Sequence, residues 1–272
     1  MGSRQLALSV LKLSAAAVDR LRPPAPGVVV LIYHRVGART PMEVDLPADL
    51  FDRQMAAVAA SGRATTLDHA LTVLATGAVP AKDPVVVTFD DGTADFAELA
   101  IPTLVHHRVP ATLYLATDFV DRGREFPRGG KPLSWASLQD AASTGLVTVG
   151  SHTHTHALLD RLDPVATADE LDRSIGLIEH HLGQPVHHFA YPKGLEGSPG
   201  AVAMVRERFR SAALAGTRPN PYRCTDAHRL RRSPVQVADG MRWFDRKVQG
   251  GMVLEDVVRR AVNRRRYAGA VS

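Results

Sequence analysis

The stretch VVVTFDDG at residues 85–92 places two adjacent carboxylates and a glycine directly after a run of valines. A continuous β-branched run of this kind predicts a strand buried on both faces, as in a parallel sheet. A second stretch, LVTVGSHTHTH at residues 146–156, puts three histidines on alternate positions after another predicted strand. Carboxylates and imidazoles at strand ends are typical ligands of a catalytic divalent metal. The two stretches together predict metal-assisted hydrolysis.

Outward from these stretches, predicted strands and helices alternate along the chain. Apolar runs such as residues 28–33 and 111–116 predict strands, and segments with helical spacing such as residues 167–182 lie between strands. Strands separated by single helices indicate right-handed crossovers and a parallel sheet. About seven such units favour one α/β domain, a distorted (β/α)7-type barrel, over an open sheet. In such a barrel the catalytic loops lie at the carboxyl ends of the strands, where both stretches fall.

The composition is that of an ordinary globular protein and narrows the range of partners. The chain has 272 residues, of which 45% are hydrophobic and 22% charged, and its single cysteine, Cys224, rules out an internal disulfide. The net charge of +5 and the basic residues between 242 and 266 are most simply explained by a solvated basic helix. Peripheral contact of this helix with a membrane or an anionic polymer is the alternative. No nucleic-acid-binding motif accompanies these residues, so we expect no nucleic acid partner.

The chain divides into three predicted segments. Residues 1–26 are expected to form an N-terminal amphipathic helix followed by a proline-rich linker, residues 27–240 the barrel, and residues 241–272 a basic C-terminal helix packed on the barrel. The first segment resembles a weak signal peptide, but Lys12 interrupts its apolar run and Asp19 follows where a cleavage region should be neutral. We therefore favour a cytoplasmic or membrane-peripheral protein and keep secretion as the alternative.

The spacing of the carboxylates and histidines suggests how they would share a metal. His152 and His156 can converge if the chain bends between them. Asp90 and Asp91 would face opposite ways in a straight strand, but Gly92 permits a turn. One carboxylate can then bind the metal while the other accepts a proton from water. An isolated Asp-Asp-Gly is more often a turn, and a histidine cluster alone is only suggestive. Their joint occurrence at strand ends favours a functional site.

Three stretches of the sequence resemble the motifs of a known family. TFDDG at residues 88–92 and HTHTH at residues 152–156 match the T-F-D-D and H-[S/T]-x-x-H motifs of the NodB-homology polysaccharide deacetylases, carbohydrate esterase family 4. FAYPKG at residues 189–194 is similar to the third motif of the circularly permuted poly-N-acetylglucosamine deacetylase relatives. The resemblance covers residues 27–240. It implies a distorted barrel and the metal-dependent removal of N-acetyl groups from amino sugars of the N-acetylglucosamine type.

The resemblance also implies roles for individual residues. Asp90 matches the general base, and Asp91, His152 and His156 match the metal ligands. Zinc is the implied cation, with cobalt or nickel as alternatives. His154 occupies a variable position of its motif and stays open as a substitute ligand.

The third motif departs from the family pattern. It lacks the arginine that pairs with the base, and Arg231 or Arg232 on the last predicted strand is the candidate replacement. The resemblance assigns Tyr191, Pro192 and Lys193 to oxyanion and substrate binding, with the backbone amide of Lys193 as the oxyanion donor.

Two histidines are candidates for the general acid. The family's C-terminal Leu-x-His is missing, but LIYH at residues 31–34 resembles the early Y-H motif of the permuted relatives. His34 is therefore the predicted acid and His228 the alternative. Two other functions stay open: a hydrolase that cuts a cyclic, non-sugar C–N bond on the same scaffold, and a catalytically silent sugar-binding module.

Overall fold

The computed structural model describes residues 3–267, with side chains described for residues 9–259, 261 and 262. Strands and helices alternate over most of this range. The described strands are β1 (Gly27–Tyr33), β2 (Arg35–Val36), β3 (Asp45–Leu46), β4 (Val85–Asp91), β5 (Ala111–Leu115), β6 (Val147–Ser151), β7 (His188–Ala190), β8 (Ser211–Ala215), β9 (Asn220–Pro221) and β10 (Leu230–Pro234).

Helices connect most of the strands and enclose the sheet. They are α1 (Ser3–Leu21), α2 (Ala48–Ala60), α3 (Leu67–Thr76), α4 (Ile101–His107), α5 (Thr117–Asp121), α6 (Trp135–Ser143), α7 (Pro164–Leu182), α8 (Pro199–Arg208), α9 (Gly240–Val248) and α10 (Val253–Tyr267). A π-helical segment, Phe96–Ala100, leads into α4. None of the described helices is both long enough and apolar enough to cross a bilayer.

Seven parallel strands close into a barrel. Their order is β1, β4, β5, β6, β7, β8 and β10, and β10 pairs back onto β1. Leu31 lies opposite Ser233 at this closure. The short strand β9 runs antiparallel to β1, and β2 pairs with β3 outside the barrel. The predicted (β/α)7-type barrel is confirmed.

The alternation of side chains along the strands produces two cores. Val29 and Leu31 of β1 point outward to the core under the helices, whereas Val28 and Val30 point into the barrel. Leu67 and its neighbours on α3 pack against this inner cluster near the beginnings of the strands. The carboxyl ends of the strands are left to carry the candidate site.

Most predicted elements lie close to their observed bounds, and the differences have local causes. Helix α6 begins after Ser134, whose side chain accepts a hydrogen bond from the amide of Ser137. Strand β4 continues past the valine run and includes both aspartates. The sequence pattern did not predict α5, which has only five residues. The single C-terminal helix predicted over residues 241–272 is instead two helices, α9 and α10, because the chain turns at Gly250, whose φ is 80°.

A cluster of buried charges ties α1, α9 and α10 to the barrel. We call Lys12, Asp239, Lys247 and Glu255 the tether cluster. The Lys12 ammonium donates to Asp239 and, at 3.2 Å, to Glu255. Lys247 donates to Asp239 at 2.7 Å and to the carbonyl of Pro234, the last residue of β10, at 2.8 Å. Contacts therefore join the three segments predicted from the sequence.

The basic C-terminal segment is described only in part. Helix α9 packs against α2, and α10 packs against α1. The predicted contact with a membrane or an anionic polymer depends largely on Arg260 and on residues 264–266, whose side chains lie outside the described residues.

Candidate active site

The end of β4 brings two neighbouring carboxylates into one pocket. Asp90 faces the barrel interior, and simple alternation would send Asp91 outward. Instead, Asp91 adopts a φ of 79° and Gly92 a φ of 101°, which turns the chain sharply. The left-handed conformation of a non-glycine residue costs about 1–3 kcal/mol and is typical of functional sites. As a result, His152 Nε2 lies 3.9 Å from Asp90 Oδ2 and 3.8 Å from Asp91 Oδ1.

A doubly bent loop after β6 brings two histidines together. Thr153 and His156 both have positive φ values, 64° and 65°. These bends place the rings of His152 and His156 with their centroids 4.9 Å apart. His156 Nε2 then lies 3.5 Å from Asp91 Oδ1.

These residues form a group suited to a divalent cation. Asp91, His152 and His156 each offer one ligand atom, and the three atoms lie within 4.8 Å of one another. His152 Nδ1 lies 2.7 Å from the carbonyl oxygen of Ala190, so this nitrogen donates its proton there and Nε2 carries the free lone pair. One carboxylate and two imidazoles leave coordination positions open for water and substrate.

Burial keeps both imidazoles in the neutral form that binds metal. It lowers the pKa of His156 to about 3, against the opposing effect of Asp91. Burial also lowers the pKa of His152. For Asp91, burial alone would raise the pKa, but the neighbouring histidines and Lys193 bring it well below its usual range. The group therefore offers an ionised carboxylate and neutral nitrogens at neutral pH.

The second carboxylate, Asp90, is bound by an arginine on β10, the strand that closes the barrel by pairing with β1. Arg232 on β10 is buried, and its Nη1 and Nη2 donate to the two Asp90 oxygens at 2.6 Å and 2.9 Å. Nη1 also donates to Thr88 Oγ1 at 3.1 Å, and the guanidinium lies 4.9 Å from the ring centroid of Tyr114. Burial alone would raise the pKa of Asp90, but Arg232 and His152 lower it overall. The adjacent Arg231 is exposed on the other face of β10.

The two candidates for the general acid lie in different places. His34 follows β1, and a positive charge there lowers the pKa of both Asp90 and Asp91. Its Nδ1 is buried and has no hydrogen-bond partner among the described residues. His228 instead directs Nε2 to the carbonyl oxygen of Phe209 at 2.7 Å, in a short helical turn before β10. The structure thus places His34, and not His228, beside the carboxylates.

The comparisons with known proteins agree with this geometry. The sequence model of the family described as polysaccharide deacetylase matches residues 77–205. The chain is therefore similar to the polysaccharide deacetylases over a little under half of its length. It is 25% identical over 166 residues to the Bacillus subtilis (strain 168) protein YxkH, whose name assigns it provisionally to the polysaccharide deacetylases. That match covers 61% of this chain but only 56% of YxkH, little more than half of that relative.

Solved structures of deacetylases share the fold. The deacetylase PplD of Streptococcus pyogenes, solved in complex with acetate, superposes with a TM-score of 0.72 at 20% identity, covering 83% of this chain and 99% of PplD. IcaB from Ammonifex degensii superposes with a TM-score of 0.70 at 25% identity, covering 83% of this chain and 98% of IcaB. The barrel is thus the fold of the deacetylases.

The third deacetylase motif forms a tight turn beside the metal group. The Tyr191 side chain is buried in the outer core, edge-on to Phe189 with ring centroids 4.9 Å apart. The residues Pro192–Gly194 form a single 3-10 turn in which Lys193 has a φ of 58°. The charge of Lys193 acts on the pKa of Asp91 and His156, so the side chain lies near these ligands. The oxyanion role of this turn stays a prediction.

The middle histidine of the second deacetylase motif points elsewhere. His154 Nδ1 lies 2.9 Å from Thr117 Oγ1, and Nε2 lies 3.6 Å from Asp118 Oδ1, both on α5. Its ring is therefore engaged with α5, and it is not part of the Asp91, His152 and His156 group.

The sequence analysis did not identify Tyr114, whose ring contacts Arg232, the arginine that pairs with Asp90. Tyr114 on β5 lies directly opposite Asp90 in the strand register, and its hydroxyl is buried without a hydrogen-bond partner among the described residues. Burial raises its pKa well above the usual tyrosine range, so it stays protonated. The signal that could have identified it was the register of β4 and β5, which no sequence pattern specified.

Proposed function

We propose that this protein is a metal-dependent hydrolase that removes N-acetyl groups from amino sugars of the N-acetylglucosamine type. The substrate would be a polysaccharide, an oligosaccharide or a glycoconjugate precursor. The observation that carries the proposal is the convergence of three candidate ligand atoms within 4.8 Å beside a second carboxylate, which is paired with an arginine. The similarity of residues 77–205 to the polysaccharide deacetylases supports the substrate class.

Three residues would hold the cation. Asp91, His152 and His156 supply one anionic and two neutral donors, which suit zinc, with cobalt or nickel as alternatives. When bound, such a cation polarises the acetyl carbonyl and lowers the pKa of water.

Asp90 is the proposed general base. Its carboxylate accepts a proton from the attacking water as the new C–O bond forms. Arg232 holds both carboxylate oxygens through two hydrogen bonds, which fixes the orientation of the base and keeps it ionised.

His34 is the proposed general acid. The amine of the sugar is a poor leaving group unless its nitrogen gains a proton as the C–N bond breaks. A protonated His34 donates that proton, and the products are acetate and a free amino sugar. The backbone amide of Lys193 is the proposed donor to the oxyanion that forms during attack.

The alternative functions make different predictions. A hydrolase of cyclic C–N bonds would use the same group of residues on a small non-sugar amide. A silent sugar-binding module would have no need of an ionised base, and the buried pairing of Asp90 with Arg232 argues for catalysis.

Acetate release tests the proposal. The purified protein is incubated with N-acetylated chito-oligosaccharides and, separately, with small cyclic amides, before and after chelation and after zinc is restored. We expect acetate from the oligosaccharides only, its loss with chelator and its return with zinc. The Asp90→Asn variant is the control for contaminating activity. Turnover of the cyclic amides alone, or sugar binding with no acetate, would refute the proposal.

A further inference from the structure

Helix α1 turns two charged residues, Lys12 and Asp19, toward the protein and its large apolar side chains toward solvent. Lys12 and Asp19 are buried, and each is bonded within the protein: Lys12 in the tether cluster and Asp19 to the amide of Met252 at 2.6 Å. The opposite side of the helix carries large apolar residues, of which Leu13 and Leu21 are 51% and 84% exposed. This pattern is the reverse of an ordinary surface helix, whose apolar stripe faces the core.

Helix α10 repeats the same inverted pattern. Glu255 and Asp256 are buried, and Asp256 accepts a hydrogen bond from Arg259 at 2.6 Å. Valines occupy the exposed side. We call the exposed apolar residues of the two helices the outer face: Val10, Leu13, Val18, Leu21, Val257, Val258 and Val262.

The two helices pack against each other in an antiparallel arrangement. Lys12 contacts Glu255, and Asp19, two turns further along α1, contacts Met252 nearer the beginning of α10. The inward charges therefore stabilise the pairing. The apolar residues of the outer face are instead exposed to solvent in the described part of the chain.

The exposed charges around the outer face are positive. Arg20 and Arg22, at the end of α1, are exposed, whereas the acidic residues of the two helices are turned inward. Apolar side chains bordered by these cations, on two helices whose described carboxylates are buried, complement the headgroups and acyl boundary of an anionic bilayer.

We propose that the outer face of α1 and α10 docks on the surface of an anionic lipid bilayer. The helices lie on the membrane and do not cross it. A second copy of this chain is a poorer occupant, because Arg20 and Arg22 of each copy would approach those of the other. This inference concerns a surface other than the proposed active site and does not depend on the proposed function.

Vesicle co-sedimentation of the full chain tests the proposal. One set of vesicles contains phosphatidylcholine alone, and the other contains phosphatidylcholine with phosphatidylglycerol. We expect sedimentation with the anionic vesicles, reduced by high salt because charge attraction contributes. The double variant Leu13→Ser/Leu21→Ser should bind about tenfold more weakly, since both side chains lose their apolar contact with lipid.

A matched variant separates docking from general surface effects. Val79→Ser/Val165→Ser removes two equally exposed apolar residues elsewhere on the surface and should bind like the unaltered protein. Circular dichroism and thermal unfolding show that each variant is folded. The proposal is overturned if the Leu13 and Leu21 variant binds normally, or if the unaltered protein ignores anionic vesicles. It is also overturned if that protein is a dimer in solution and the leucine variant a monomer.

Discussion

Two buried clusters of charge lie in this molecule, and they differ in how their charges are balanced. The tether cluster combines two ammonium groups with two carboxylates, so its charges cancel. The active-site cluster combines Asp90 and Asp91 with one guanidinium, from Arg232, and two imidazoles whose pKa values are lowered by burial. Within that cluster one negative charge is uncompensated, because Lys193, the further cation that acts on Asp91, is exposed to solvent.

The difference indicates which cluster is structural and which is functional. Burying an uncompensated charge is costly, so a protein retains one where a ligand will neutralise it. In the tether cluster the protein itself supplies the balancing cations. In the active-site cluster the uncompensated Asp91 faces two neutral imidazole nitrogens, which fits a divalent cation as the missing partner.

The largest effect is expected from a substitution that removes the proposed base and leaves the candidate metal-binding residues unchanged. In Asp90→Asn, the amide cannot accept a proton from water, so kcat should fall by about 10³-fold. Metal content, measured by elemental analysis, should be unchanged, because Asp90 lies outside the ligand group. Loss of metal in this variant would mean that the two aspartates share the cation and that the separate roles proposed for Asp90 and Asp91 are wrong.

Breaking the tether cluster should affect stability and leave chemistry intact. Lys12→Met leaves Glu255 without its closest cation and Asp239 with only Lys247. The free energy of unfolding, from urea denaturation, should fall by about 3–5 kcal/mol, as expected when one partner of a buried pair is removed. Lys82→Met, at an exposed lysine, is the control and should change it by less than about 0.5 kcal/mol. Metal loss in folded Lys12→Met would contradict the separation of the two clusters.

A subtler change tests the geometry that holds the base. Arg232→Lys keeps the positive charge but loses the two-pronged contact with Asp90. We expect kcat to fall by about 10- to 100-fold with metal content retained. Arg231→Lys, on the exposed face of the same strand, should behave like the unaltered protein. Equal effects of both substitutions on kcat would show that the pairing with Asp90 is not what matters.

The smallest effect is expected at the middle histidine of the second motif. His154→Gln should keep the full metal content, because the ring contacts Thr117 and Asp118 on α5. The free energy of unfolding should fall by only about 1 kcal/mol, because the hydrogen bond between His154 and Thr117 is lost. A loss of metal comparable to that in His152→Gln would place His154 among the ligands.

The sequence predicted the barrel and the meeting of the two motifs because both depend on local patterns. Apolar β-branched runs mark the strands, and in a parallel barrel all carboxyl ends lie at one edge. The left-handed backbone at Asp91 could not be anticipated, because only Gly92 carried a turn signal. The choice between Arg231 and Arg232 depended on which face of β10 points inward, which became clear only with the register.

The tether cluster was beyond sequence reasoning for another reason. Lys12 and Glu255 are 243 residues apart, and each looks like a surface charge on its own helix. Lys12 was interpreted as an interruption in an apolar run, yet the structure buries it and exposes Leu13 beside it. Charge pairs between residues so far apart in the chain leave no periodic pattern in the sequence. A helix that buries its charged side therefore has the same sequence pattern as one that buries its apolar side.

The most direct test is the metal content of the protein and of a ligand variant. Elemental analysis of the purified chain, loaded with zinc and freed of excess, should give about one ion per chain. The His152→Ala/His156→Ala variant leaves a single carboxylate of the group and should retain essentially none, while Lys12→Met retains its full content. Full metal content in the double-histidine variant would contradict the assignment of Asp91, His152 and His156 as the site.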